Sequence, residues 1–432
     1  MIYVHVPFCR SFCTYCGFYS EACPIRRSGE AILRQENMFS GYADALEAEI
    51  RTRHDEIERV FASSDVNTLY IGGGTPSVLP LSVFERMLKA LGHDGFREFT
   101  VEVNPEDIVD KGEAYVRGLL DLGVNRISMG VQSFDDPLLK WMNRRHTSSQ
   151  AVEAYHILEG AGVENISIDL IFGLPQLTDG LWRETLDKAL NISSCGIQPK
   201  HISAYQLSVE EDSMLEKMIA RGMCQEASEE DCQRQYSVLC EVLGAAGYHH
   251  YEVSNFAKPG FEAVHNSAYW RHIPYVGLGP GAHSYMHKTF SESESIDARC
   301  VEMAFPHPRV GGGAQLCWEG AFGIHWRDAC LVGKRQWNKN NLNGYIEAGK
   351  TGDFSSVQDG EMLDASQMTL ERIMLGLRTS SGVPESFLRE HCRPKTVDEA
   401  VGSGSLVATR GGNLRIPEER FFISDNIISS LI

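Results

Sequence analysis

The chain has 432 residues and a formal net charge of −18, with 43% hydrophobic and 23% charged residues. That is the composition of an ordinary folded protein, long enough for one large domain and a smaller one. So acidic a balance excludes a polyanion as the main partner, because nucleic acids and anionic membrane surfaces are held by clusters of Lys and Arg, and Arg144-Arg145 is the nearest approach to one.

The first predicted strand, Ile2 to Val6, runs into Cys9, Cys13 and Cys16, spaced by three and then two residues with Phe12 and Tyr15 interleaved. One short loop of this kind can wrap three corners of a cubic iron-sulfur cluster and leave the fourth iron to a small molecule. A zinc site completed by Cys23 or His5 is the alternative, since zinc takes the same donor atoms. The other cysteines of the twelve are too scattered for a disulfide framework.

Further strands are predicted at Thr68 to Gly72, Phe99 to Val103, Arg126 to Met129, Ser167 to Ile171 and His201 to Gln206. Helical periodicity separates them at Tyr42 to Phe61, Ser82 to Leu91, Ile108 to Leu122, Ser149 to Ala161 and Leu181 to Leu190. Strands alternating with helices predict a parallel sheet covered by helices, and six repeats an incomplete barrel.

The polar motifs fall at the ends of these strands, where barrel loops converge on one mouth. They are Gly72-Gly73-Gly74-Thr75-Pro76, Glu102 with Asn104, Gln132 with Arg144 beyond it, Asp169 with Gly173-Leu174-Pro175, and Ala204-Tyr205-Gln206. A glycine run admits a ligand close to the backbone or simply makes a tight turn. The carboxylates suit ribose hydroxyls or a sulfonium, and Gln132 and Arg144 suit acceptor oxygens.

Past residue 250 a region rich in Gly, His and aromatic residues carries His265-Asn266-Ser267-Ala268-Tyr269-Trp270. Its imidazole could serve as an axial haem ligand or as a hydrogen-bonded packing residue. Residues 286–332 have the look of a surface insertion. From Ser366 the pattern is helix, helix, two short strands near Leu406 and Leu414, and a last helix. The expected organisation is a barrel over 1–250, a connecting region over 251–365 and a small winged-helix-like domain over 366–432.

Taken together, the run Tyr3 to Cys9, Cys13-Thr14-Tyr15-Cys16, the glycine turn, Gly130 to Phe134, Ile168 to Pro175 and His201 to Leu207 resemble the radical S-adenosylmethionine (SAM) superfamily. Within it they are similar to the coproporphyrinogen III oxidase-like branch, which divides into oxygen-independent dehydrogenases and haem chaperones of the HemW type. The resemblance covers nearly the whole chain except 286–332 and implies an α/β fold, a partial (β/α)6 TIM-type barrel with a small C-terminal helical domain.

By the resemblance, Cys9, Cys13 and Cys16 would hold a [4Fe-4S] cluster. Tyr3 and Tyr15 would lie beside SAM, and Gly73, Gly74 and Thr75 against its methionyl part. Glu102, Gln132, Arg144, Asp169 and Ala204 would line the rest. Three features point to the chaperones: Gly17-Phe18 where the dehydrogenases have a further cysteine, an opening straight into the first strand, and the match of His265 to Trp270 to the HNxxYW motif, whose His is implicated in haem binding. The expected function is haem binding and transfer to acceptor proteins, with coproporphyrinogen III dehydrogenation as the alternative. Haem, haem-accepting proteins and an electron donor are the implied partners, and a homodimer is left open. No apolar run reaches the ~20 residues of a membrane span, and no basic segment with an apolar core opens the chain, so a cytoplasmic location is expected.

Overall fold

A computed structural model describes residues 1–23, 29–63, 65–288 and 332–432. The proposed insertion therefore lies, but for its edges, outside the described residues. Six parallel strands stand where the alternation placed them: β1 (Ile2–Val6), β2 (Thr68–Gly73), β3 (Glu98–Val103), β4 (Arg126–Gln132), β5 (Ile166–Phe172) and β6 (His201–Gln206). Each pairs with its sequence neighbour.

Three short strands absent from the sequence reading extend this sheet: β7 (His249–Glu252), β8 (Asn255–Ala257) and β9 (Val276–Leu278). The order is β9-β1-β2-β3-β4-β5-β6-β8-β7, and the edge strands β7 and β9 are not paired with each other. The barrel is thus open on one side. Runs of three or four residues carry too little periodicity to be seen in sequence.

The strands alternate in a way that defines the interior. Ile2, Val4, Leu69, Ile71, Phe99, Val101, Ile127, Met129, Ile168 and Leu170 are buried in the core, while Tyr3, Tyr70, Glu102, Ser128, Asp169 and Ser203 line the lumen. Side chains two apart share a face, so one face of each strand packs on helices and the other is polar. The interior of a closed barrel is usually filled by branched apolar residues; here it is an open polar cleft.

The helix expected over Tyr42 to Phe61 is two helices, Gly29–Thr52 and His54–Ala62. At the break, the buried Arg53 reaches inward to Glu49 at 3.1 Å, the Gly277 carbonyl at 2.7 Å and Ser284 at 3.0 Å. A second, antiparallel sheet holds β10 (His283–Lys288), β11 (Val332–Asn338) and β12 (Gln358–Leu363). Beyond it the chain forms helices Ala365–Leu377, Glu385–His391, Pro394–Gly402 and Ser424–Leu431 around a three-stranded sheet. That is one helix and one strand more than the sequence pattern predicts.

Candidate functional site

The carboxyl ends of the strands open on a cavity of about 1030 Å³. Cys9, Cys13 and Cys16 stand at its rim on a loop held largely through its backbone, Thr14 and Arg10, which pairs with Asp107 at 2.7 Å and Asp110 at 3.0 Å. The Thr14 amide donates to the Met142 carbonyl at 3.0 Å and its hydroxyl to Trp141 O at 2.9 Å, the Leu215 amide donates to Thr14 O at 2.8 Å, and Asn143 donates to Phe12 O at 2.7 Å. The thiols remain free. Burial raises the pKa of Cys9, and takes that of Cys16 up to about 11, so both need a cationic or metallic partner to ionise near neutrality. Among the described residues, no three His, Cys, Asp or Glu side chains converge on a single ion, as a mononuclear zinc site requires.

Beside this loop, β1 and β2 run in register to Val6 and Gly73, which brings the glycine turn under the cysteines. Gly74 has no room for a side chain, since a Cβ there would fall 2.7 Å from the Phe8 carbonyl oxygen. Gly73 has φ +108°, and a Cβ would meet the His5 ring at 2.7 Å. The turn is therefore both tight and shaped around the loop. Thr75 bridges them, its hydroxyl 3.4 Å from Cys9 Sγ and accepting from Asn104 Nδ2 at 3.1 Å. Tyr3 reaches His5 Nδ1 at 3.0 Å, and Tyr15 is shielded enough that burial raises its pKa.

Gln132 owes its position to a bulge: the β4–β5 register shifts between Gly130 and Gln132, and Gln132 takes φ +67°. Left-handed backbone in a non-glycine residue is uncommon and gathers at functional sites. Arg144 is held by Asn104 Oδ1 at 2.7 Å and the Gly130 carbonyl at 2.6 Å, and donates to Cys13 Sγ at 3.4 Å. Burial works against its charge, but Cys13, Tyr15 and Glu106 outweigh burial and raise its pKa. Its Nε is buried with no partner.

Glu102 accepts from Tyr70 Oη at 2.6 Å and from the Gly73 amide at 3.2 Å, yet desolvation lifts its pKa to about 7. The unfolded chain gives up this proton near the ordinary value of 4.5. Between the two values the folded state holds the extra proton, so this group's contribution to stability falls as pH rises through that window. Glu102→Gln is expected to flatten that decline and to raise the melting temperature of the cofactor-free protein at pH 8, measured by circular dichroism. An unchanged pH profile would contradict it.

Deeper in, Asp169 does not sit at a strand end as the sequence reading had it. It stands in the middle of β5, paired with Gly130 and Ser203, and accepts from Ser128 Oγ at 3.0 Å. Ala204 is a correction: it is 1% exposed and lies on the core face of β6, while Ser203 and Tyr205 on either side line the cavity. Its side chain has no part in the wall.

His265 lies at the opposite end of the barrel from the cysteines. It is 2% exposed, with Nδ1 2.8 Å from Thr68 Oγ1 and Nε2 3.0 Å from Tyr269 Oη. Its helix, Val264–Trp270, is capped by Glu98, which accepts from the amides of Val264 at 2.7 Å and His265 at 2.8 Å. Burial, the nearby chain amino terminus and Arg126 hold its pKa down to about 3. The imidazole is therefore neutral, and both nitrogens are engaged. The polar residues of the lumen, Tyr70, Arg126, Ser128, His201 and Ser203, escape a search for motifs, but their alternate spacing along β2, β4 and β6 is a readable signal.

A partial parallel barrel with a three-thiol loop at its mouth and a glycine turn beneath it is the architecture of a radical SAM protein. The sequence model of the radical SAM superfamily matches residues 3–189. A heme chaperone HemW from Lactococcus lactis is 37% identical over 66% of this chain and 69% of its own, and one from Synechocystis is 33% identical over 88% and 78%. One from Mycobacterium tuberculosis is 28% identical over 100% of this chain and 94% of its own. Coproporphyrinogen III oxidase (HemN) from Escherichia coli, a radical SAM enzyme, superposes with a TM-score of 0.68 over 99% of this chain and 89% of its own at 19% identity, a likeness of fold. The chain belongs to the HemW-like family of radical SAM proteins.

Membership implies a [4Fe-4S] cluster and SAM, and the site fits both. Among the described residues, Cys9, Cys13 and Cys16 are the cysteines that line the cavity, Cys23 turning into the core instead, and the bare backbone of Gly73 and Gly74 forms part of the wall beside them. Arg144, whose Nε has no partner, lines the same cavity. Thiolates would hold the cluster, and the glycine turn, Glu102, Gln132 and Arg144 would orient SAM. Among the described residues, no helix is long and apolar enough to cross a membrane.

Proposed function

We propose that the protein is a haem chaperone, binding haem and passing it to acceptor proteins while carrying a [4Fe-4S] cluster on Cys9, Cys13 and Cys16 together with SAM. The observation that carries this reading is the set of heme chaperone relatives, one of them aligned along the whole chain. The position that the dehydrogenases fill with a further cysteine is consistent with it, because Phe18 there is 71% exposed at the cavity rim. An electron donor would set the redox state of the cluster.

The test is anaerobic titration of the reconstituted protein with haem, followed by transfer to an apo-haemoprotein. Stoichiometric binding and recovery of the acceptor's spectrum are expected. Conversion of coproporphyrinogen III to protoporphyrinogen at enzymatic rates would overturn the reading.

His265 can offer Nε2 to iron only by breaking its bond to Tyr269. His265→Ala is expected to weaken haem binding and, because it empties a buried site and leaves Thr68 unpaired, to lower the melting temperature without haem as well. Unchanged haem affinity would make His265 a packing residue alone.

A further inference from the structure

Buried cations in this chain are generally answered. Arg53 meets Glu49 and Glu56, and Lys111 meets the carbonyls of Ser77 and Leu79. Arg126, the first residue of β4, is the exception. It is 3% exposed and lines the lumen, its guanidinium has no hydrogen bond or ion pair among the described residues, and its Nε is shut off from solvent without a partner.

The neighbouring carboxylates are engaged elsewhere, Glu98 by the amides of Val264 and His265 and Asp169 by Ser128. Thr100, which pairs with Arg126 across β3 and β4, also has a buried hydroxyl with no partner. Glu98 and Asp169 balance the Arg126 charge through space, enough to raise its pKa in spite of burial, but its N–H donors find no acceptor among the described residues, and a buried donor left without one costs stability. A guanidinium fork matches a carboxylate through two parallel N–H donors, and an orphaned hydroxyl beside it supplies a third. The surrounding wall, with Tyr70, Ser128, Ser203 and Tyr205, suits a polar ligand.

We propose that the floor of the barrel lumen is a carboxylate-binding site, anchored by Arg126 with Thr100 beside it, for a polar small molecule that enters from the mouth. The proposal stands whether or not the protein is a chaperone.

The test uses the full chain and Arg126→Met, with Arg126→Gln as a second variant should the first fail to fold. Thermal unfolding of the cofactor-free protein is followed while sodium propionate is added at constant ionic strength. The wild-type melting temperature rises with propionate, whereas that of the variant does not respond.

Binding of SAM to reconstituted protein, and of haem against haem dimethyl ester, identifies the source of the carboxylate. SAM affinity is expected to be unchanged in the variant, since the methionyl part lies at the mouth, and a tenfold or greater loss for haem but not for its ester assigns a propionate. Equal propionate responses in wild type and variant, with no loss for SAM or haem, would mean that only water or a buffer ion fills the floor, and the proposal falls.

Discussion

Cys13→Ala is expected to abolish the iron-sulfur cluster while leaving the fold intact. The loop that carries Cys13 is pinned by Thr14, Asn143 and Leu215 through bonds that do not involve the thiol, so its course survives the substitution. What is lost is one of three thiolates, and a cluster with two protein ligands exposes a second iron to solvent. Iron and sulfide should fall to near background in the anaerobically reconstituted protein. SAM affinity should drop by more than about tenfold, the scale set by losing one strong contact to a charged group. Far-ultraviolet circular dichroism should not change. Retention of a full iron complement would show that the three cysteines are not the ligand set.

The largest expected loss of stability lies at the junction of the first helix with the two sheets. Glu49, 0% exposed, gathers four elements: Arg53 Nη1 at 3.1 Å, the Gly279 amide at 2.8 Å, Asn338 Nδ2 at 2.8 Å and Tyr345 Oη at 2.7 Å. One carboxylate thus ties the long first helix to the turn after β9, to β11 and to helix Leu342–Thr351. Glu49→Ala removes the buried partner of Arg53 and strands three further donors. Breaking a buried ion pair in this way costs about 3–5 kcal/mol. The midpoint of urea unfolding should fall accordingly, and Glu49→Gln, which keeps the shape and one acceptor oxygen, should lose less. A loss below about 1 kcal/mol for the alanine variant, the range of an exposed pair, would contradict this account of the junction.

The cysteine loop and the six barrel strands were legible because their signals are local. Three cysteines within eight residues need no partner to be noticed, and alternation over five to seven residues marks a strand wherever it packs. The Gly73-Gly74 turn was legible as a turn, but the reason for its glycines, the approach of His5 and Phe8, is set across more than sixty residues of chain. His265 shows the same limit. Its motif is visible in sequence, whereas its burial against Thr68 and Tyr269 depends on a contact 197 residues away. Ala204 was misplaced because a strand-end position says nothing about which face a side chain takes, and Asp169 because it was grouped with the Gly173-Leu174-Pro175 turn although it stands at the centre of β5. Arg126 belongs to no motif that singles it out in sequence. Only the packed barrel reveals that, among the described residues, no acceptor meets its N–H donors.

Mössbauer spectroscopy of protein reconstituted with enriched iron, recorded with and without SAM, bears most directly on the three-thiol site. The account predicts a cluster in which one iron of the four differs from the rest and shifts its parameters when SAM is added. Four equivalent irons that do not respond to SAM, or metal analysis returning only zinc, would contradict it.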